Sequence, residues 1–113
     1  MPGTVLAITR IHGIAGRRED LRALMRDTEA RVAEEPGCRM YRFAATLDDA
    51  DEYVNVQEWE DEATFDAHQR SPAFREYQRG LFDLLARPSD MVLHRAGEMV
   101  RPGPSIMDPR AAD

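Results

Sequence analysis

Cysteine occurs once in these 113 residues, at Cys38. A lone thiol closes no intrachain disulfide and supplies no multi-cysteine metal site, so a stapled scaffold and a zinc ribbon are both excluded, and a reducing compartment suits the chain. Long apolar runs are missing as well. The stretch MPGTVLAITRIHG has no basic leader and its apolar run breaks at Arg10. It reads as neither a signal peptide nor a membrane span, and the expected location is cytoplasmic. Positive charge is scarce: 15 Lys and Arg stand against 21 Asp and Glu, a formal net charge of −6. That balance repels phosphate backbones and anionic lipid, and no basic cluster offsets it, so neither nucleic acid nor a membrane is an expected partner. No phosphate loop and no flavin or nicotinamide fingerprint is present. The acidic run LDDADE (47–52) lacks the glycine and distal glutamate of a calcium loop. His12, His68 and His94 lack close ligand spacing, so no metal site is expected.

What is present suits one soluble domain. Apolar residues make up 42% and charged residues 32%, enough to bury a single core and too few residues for two domains. One domain is expected over 1–100, followed by a Pro-rich tail, 101–113, that is flexible or packed on a partner subunit. Residues 5–12 (VLAITRIH) read as a strand ending at Gly13 and Gly16. Leu21, Leu24, Met25, Thr28 and Val32 then recur at helical spacing, until EEPG (34–37) stops the helix. Residues 38–47 and 52–60 read as two strands of a hairpin. Asp61 caps a short helix through His68, and Ser71-Pro72 opens a longer one with a buried stripe of Phe74, Tyr77, Leu81, Leu84 and Leu85. A last strand is expected over 90–100. The order βαββαβ is the ferredoxin-like α+β pattern, an antiparallel sheet with helices on one side. Leu6, Ile8, Val54 and Val56 then form an uncovered apolar face, which predicts a homodimer.

Alternation along 52–60 puts Tyr53, Asn55, Gln57 and Trp59 on the face turned toward the helices. A dry core does not welcome an unpaired amide, so Asn55 and Trp59 point to a lined cavity. His68 follows Phe65 by three residues on the short helix, and the pair is expected to form its lid.

The pieces EEPGCRMYRF (34–43) and VNVQEWEDEATFDAHQRSPAF (54–74), with the element order, resemble the antibiotic biosynthesis monooxygenase family of small dimeric α+β barrel proteins. The most specific part is Glu58, Trp59, Asp61 and His68 followed by Ser71, Pro72 and Phe74. The resemblance implies cofactor-independent oxygenases acting with O2 on phenols and quinols, haem-degrading oxygenases, or members without an assigned role. In the first kind an asparagine four residues before the tryptophan belongs to the substrate pocket, and Asn55 matches it. In the second an asparagine on the first strand joins a haem-ligating histidine; Thr9 stands there in this chain, which argues against haem. The expected reacting set is therefore Asn55, Trp59 and His68 in a pocket lined by Thr9, Phe65, Phe74, Tyr77 and Leu81, without a cofactor. An imidazole has the pKa to take a phenolic proton and an amide N–H can hold the oxyanion, while the indole stacks on the ring. A non-catalytic dimer that binds a small aromatic molecule and a haem-binding oxygenase stay open as alternatives.

Overall fold

The computed structural model describes residues 3–97 and Val100. Its elements are β1 (Thr4–His12), α1 (Arg18–Val32), β2 (Cys38–Ala45), β3 (Glu52–Trp59), α2 (Glu62–Gln69), α3 (Pro72–Phe82) and β4 (Asp90–Ala96). All pairings are antiparallel and the sheet order is β2-β3-β1-β4, which is the ferredoxin-like α+β fold with the second crossover split into two helices. The Pro-rich tail expected over 101–113 lies outside the described residues.

Local chemistry accounts for the element ends. Leu21, Met25, Thr28 and Val32 bury one stripe of α1, and Thr28 satisfies its hydroxyl on the Leu24 carbonyl at 2.7 Å. Gly37, in the turn after α1, has φ of 79° and carries its Cα against Thr64, so a Cβ there would sit 2.4 Å from the Thr64 Cγ2. Only glycine satisfies both constraints. The Gly37 carbonyl also accepts the Glu60 amide at 2.8 Å, fastening this turn to the end of β3. Asp61 and Thr64 form a reciprocal cap on α2, and the Ser71 hydroxyl accepts the Phe74 amide with Pro72 in the first turn of α3.

Three boundaries differ from the sequence expectation by more than one residue. The second strand stops at Ala45, since Thr46 bonds back to Asp49 and Glu52 and leaves Leu47 in solvent. The last helix ends at Phe82, so Leu84 is buried from a turn and Leu85 bridges to Gly13. The last strand ends at Ala96, with residues 98 and 99 outside the described set.

Between the sheet and helices the core falls into two groups. One gathers Val5, Ala7, Val32, Tyr41, Trp59 and Phe65; the other gathers Ile11, Leu21, Met25, Tyr53, Tyr77 and Leu81. Register explains the division: on the helix-facing side, Gln57 lies opposite Ala7 and Tyr41, and Asn55 lies opposite Thr9 and Phe43. Polar side chains thus cross the middle of an otherwise apolar face, where close packing would strand their hydrogen-bonding groups.

A candidate small-molecule cavity

A cavity of about 670 Å³ opens at this polar crossing, between members of the two core groups. Thr9, Asn55 and Gln57 form its polar floor, Ile11, Tyr41, Phe74, Tyr77 and Leu81 its apolar walls. The exposed Gln78, Phe82 and Arg87 also line it. The volume lies in the range of sites for small organic ligands.

The floor is organised by the indole. Trp59 Nε1 can only donate, and it donates to Gln57 Oε1 at 2.9 Å. That turns the Gln57 amide nitrogen toward Asn55, where it donates to Oδ1 at 2.8 Å; the Asn55 nitrogen in turn donates to the Arg42 carbonyl at 3.2 Å. Flipping either amide would set like groups against each other, so the network itself assigns both orientations. Each NH2 has two hydrogens and uses one in this relay. Asn55 and Gln57 therefore each keep one donor, and both side chains line the cavity.

Of the eight residues expected from the sequence, Thr9, Asn55, Phe74, Tyr77 and Leu81 line this cavity, whereas Trp59, Phe65 and His68 do not. Trp59 is fully buried, with His68 stacked on it at 4.7 Å and Phe65 at 6.5 Å. Instead of forming a lid, Phe65 and His68 pack behind the wall, where His68 also meets Tyr41 and Phe74. His68 Nδ1 lies 2.9 Å from Glu35 Oε1. The carboxylate only accepts, so Nδ1 carries the hydrogen. Burial among these rings pushes the imidazole below its ordinary pKa, against an opposing pull from Glu35, and the neutral form prevails. His68 Nε2 and Glu35 Oε2 are buried without hydrogen-bond partners among the described residues. An imidazole so enclosed presents no nitrogen to the cavity, and these residues do not fit a haem iron.

Burial raises the pKa of Tyr41 and Tyr77, strongly in both, so these phenols stay protonated. Among the described residues the lining contains no carboxylate and no imidazole, and Arg87 is the one charged residue there. Among the described residues no group of three or more His, Cys, Asp or Glu is placed to hold a metal, and no helix is long and apolar enough to cross a membrane. Sequence reasoning placed Gln57 on the right face without a role. Its signal was the spacing, two residues from Asn55 and two from Trp59.

Fold and cavity together define a small ferredoxin-like domain with a cavity of organic-ligand size against the helix-facing side of its sheet. The model of the antibiotic biosynthesis monooxygenase family matches residues 4–80, and the chain belongs to that family. It is 27% identical over 82 residues to the uncharacterized protein sll1783 of Synechocystis sp., a match covering 73% of this chain and 56% of that one; the chain thus spans little more than half of that relative. Among solved structures it resembles Rv0793 of Mycobacterium tuberculosis, with a TM-score of 0.80 and 26% identity over 87% of this chain and 99% of that one. It also shares its fold with an asparagine-to-alanine variant of SnoaB, a cofactor-independent oxygenase from Streptomyces nogalater. There the TM-score is 0.75 and the identity 21%, covering 87% of this chain and 97% of the other.

Proposed function

We propose that the protein is a cofactor-independent monooxygenase that oxidises a hydroxyaromatic compound with O2. The observation that carries this reading is that Asn55 and Gln57, each with one amide hydrogen left over from the relay, line a cavity with apolar walls. Chemistry of this kind needs little bond-making from the protein. A phenolate transfers one electron to dioxygen, the two radicals combine at the ring carbon para to the oxygen, and loss of water leaves a quinone. The phenolic O–H and the para C–H are broken, one oxygen atom becomes the new carbonyl and the other leaves as water. The substrate itself supplies the electrons.

The task of the site is then to favour the anion and exclude bulk water. Two amide donors held by a buried relay need no reorganisation when the charge appears, which is where such groups lower a barrier. The walls Phe74 and Tyr77 supply aromatic surface for the ring. Trp59 acts through Gln57, and His68 holds Trp59 by stacking. With no carboxylate or imidazole among the described lining residues, the phenolic proton on this reading leaves to solvent before the ring is enclosed.

The same reading includes a homodimer. On the outer face, Val56, Ile8 and Val92 lie side by side in register, next to Leu6 and Val54; Ile8 and Val92 are 42% and 54% exposed. A sheet face of this composition is stabilised by burial against a second copy.

An oxygen electrode tests the activity on a panel of polycyclic phenols whose para carbon is unsubstituted. The expected result is one O2 consumed per quinone formed, without added metal, flavin or reductant. Phenols that bind tightly but consume no oxygen above the uncatalysed rate would leave a sequestering or sensing domain instead.

A further inference from the structure

The cavity is electrically lopsided, and this bears on the substrate class of the oxygenase reading, on which the following inference rests. Among the described residues Arg87 is the single charged side chain in the lining, and it has no carboxylate partner there. Its Nη2 lies 3.2 Å from both ring nitrogens of His12. Beyond that ring stands Glu52, 3.4 Å from His12 Nδ1, already held by Arg10 at 2.9 Å. That carboxylate is thus separated from Arg87 by an imidazole and engaged elsewhere. A guanidinium has five N–H donors, so contact with His12 leaves most of them unused.

A second, independent observation points the same way. Ser89, two residues along, lines the same cavity, and its Oγ is buried with no hydrogen-bond partner. A hydroxyl without a partner and a guanidinium without a carboxylate, in one cavity lining, suit a planar anion, which takes two donors from the guanidinium fork and a third from the hydroxyl. The amide of Gln78 adds further polar capacity to the same lining.

Strand geometry separates the two polar ends. Asn55 pairs with Thr9 on β1, and His12, against which Arg87 rests, is three residues further on. At the rise of a β-strand this is roughly 10 Å, the span of an aromatic system with a hydroxyl at one end and an acidic group at the other. We propose that the cavity accepts a hydroxyaromatic carboxylate, its hydroxyl on Asn55 and Gln57 and its carboxylate on Arg87 and Ser89.

The test is calorimetric titration of the full chain with three redox-stable probes: 6-hydroxy-2-naphthoate, its methyl ester and 2-naphthol. The acid should bind at least roughly tenfold more tightly than the ester, and the preference should weaken with added salt. In Arg87→Gln that preference should vanish while the ester and 2-naphthol bind as before; Arg87→Lys should retain part of it, and Ser89→Ala should weaken the acid alone by a few-fold. Equal affinity for acid and ester in the unmodified protein, or an equal loss for all three probes in Arg87→Gln, would overturn the proposal. If so, oxygen uptake with neutral phenols would leave the oxygenase reading intact. Conversely, Arg87-dependent binding of the acid without oxygen uptake on any phenolic acid would sustain the anion site and remove the oxygenase. Failure of all three probes to bind would overturn the anion site, with the oxygen electrode deciding the oxygenase reading separately.

Discussion

An indole N–H that must donate orients two amides in series, and the last of them, Asn55, faces a cavity rather than core. Burying such a chain is costly unless every link is made, so its members are coupled. Asn55→Ala removes an oxyanion donor and should lower turnover on the order of a hundredfold at every pH. Gln57→Leu should lose a similar factor by removing one donor and releasing the orientation of the other. His68→Ala should give a smaller loss that is flat with pH, because the imidazole sits behind Phe74 and Tyr41 and only steadies Trp59. A pH–rate series on the three variants with one accepted phenol checks all of this. A His68→Ala defect that is severe below the phenol pKa and fades above it would restore the histidine as general base.

Two local elements meet through His68. Helix α2 carries it, and the turn between α1 and β2 carries its partner Glu35; Gly37 and Thr64 bring the same two pieces into contact. Burial holds the folded-state pKa of His68 below its ordinary 6.5. Between the folded value and 6.5 the unfolded chain binds more protons than the native one, so stability rises with pH in that window. The contribution is complete above 6.5 and is lost as pH falls through the folded value. The urea midpoint should therefore be level above about pH 7 and fall on moving toward about pH 5. His68→Gln should flatten that part of the decline. A midpoint that rises on acidification would mean that an imidazolium–Glu35 ion pair outweighs the cost of burial.

At the scale of the whole molecule, one side of the sheet is covered by three helices and the other by no element among the described residues. Val56, half-buried in register between Arg42 and Ile8, lies in the middle of that open side. Light scattering should give twice the mass of the chain at micromolar concentration, and Val56→Asp should yield monomer by placing an unpaired carboxylate in the contact. A monodisperse monomer for the unmodified protein would exclude the sheet-to-sheet dimer.

Much of this architecture is dictated by short-range chemistry and was legible in the chain. Asp61 and Ser71 cap helices because a side-chain oxygen reaches an amide two or three residues away, and the alternation of Tyr53, Asn55, Gln57 and Trp59 follows from the pleat of any strand. Periodicity assigns a residue to a face, but it does not say what stands opposite at each level along that face. Asn55 and Trp59 share a side yet lie four residues, roughly 13 Å, apart. At one level Phe65 and His68 of α2 close over the indole; at the other Tyr77 and Leu81 of α3 leave a space before the amide. Likewise Arg87 reads as an ordinary residue after a helix until β4 turns back beside β1 and sets it against His12. Those decisions belong to helix docking and strand order, which depend on contacts between residues far apart in the chain.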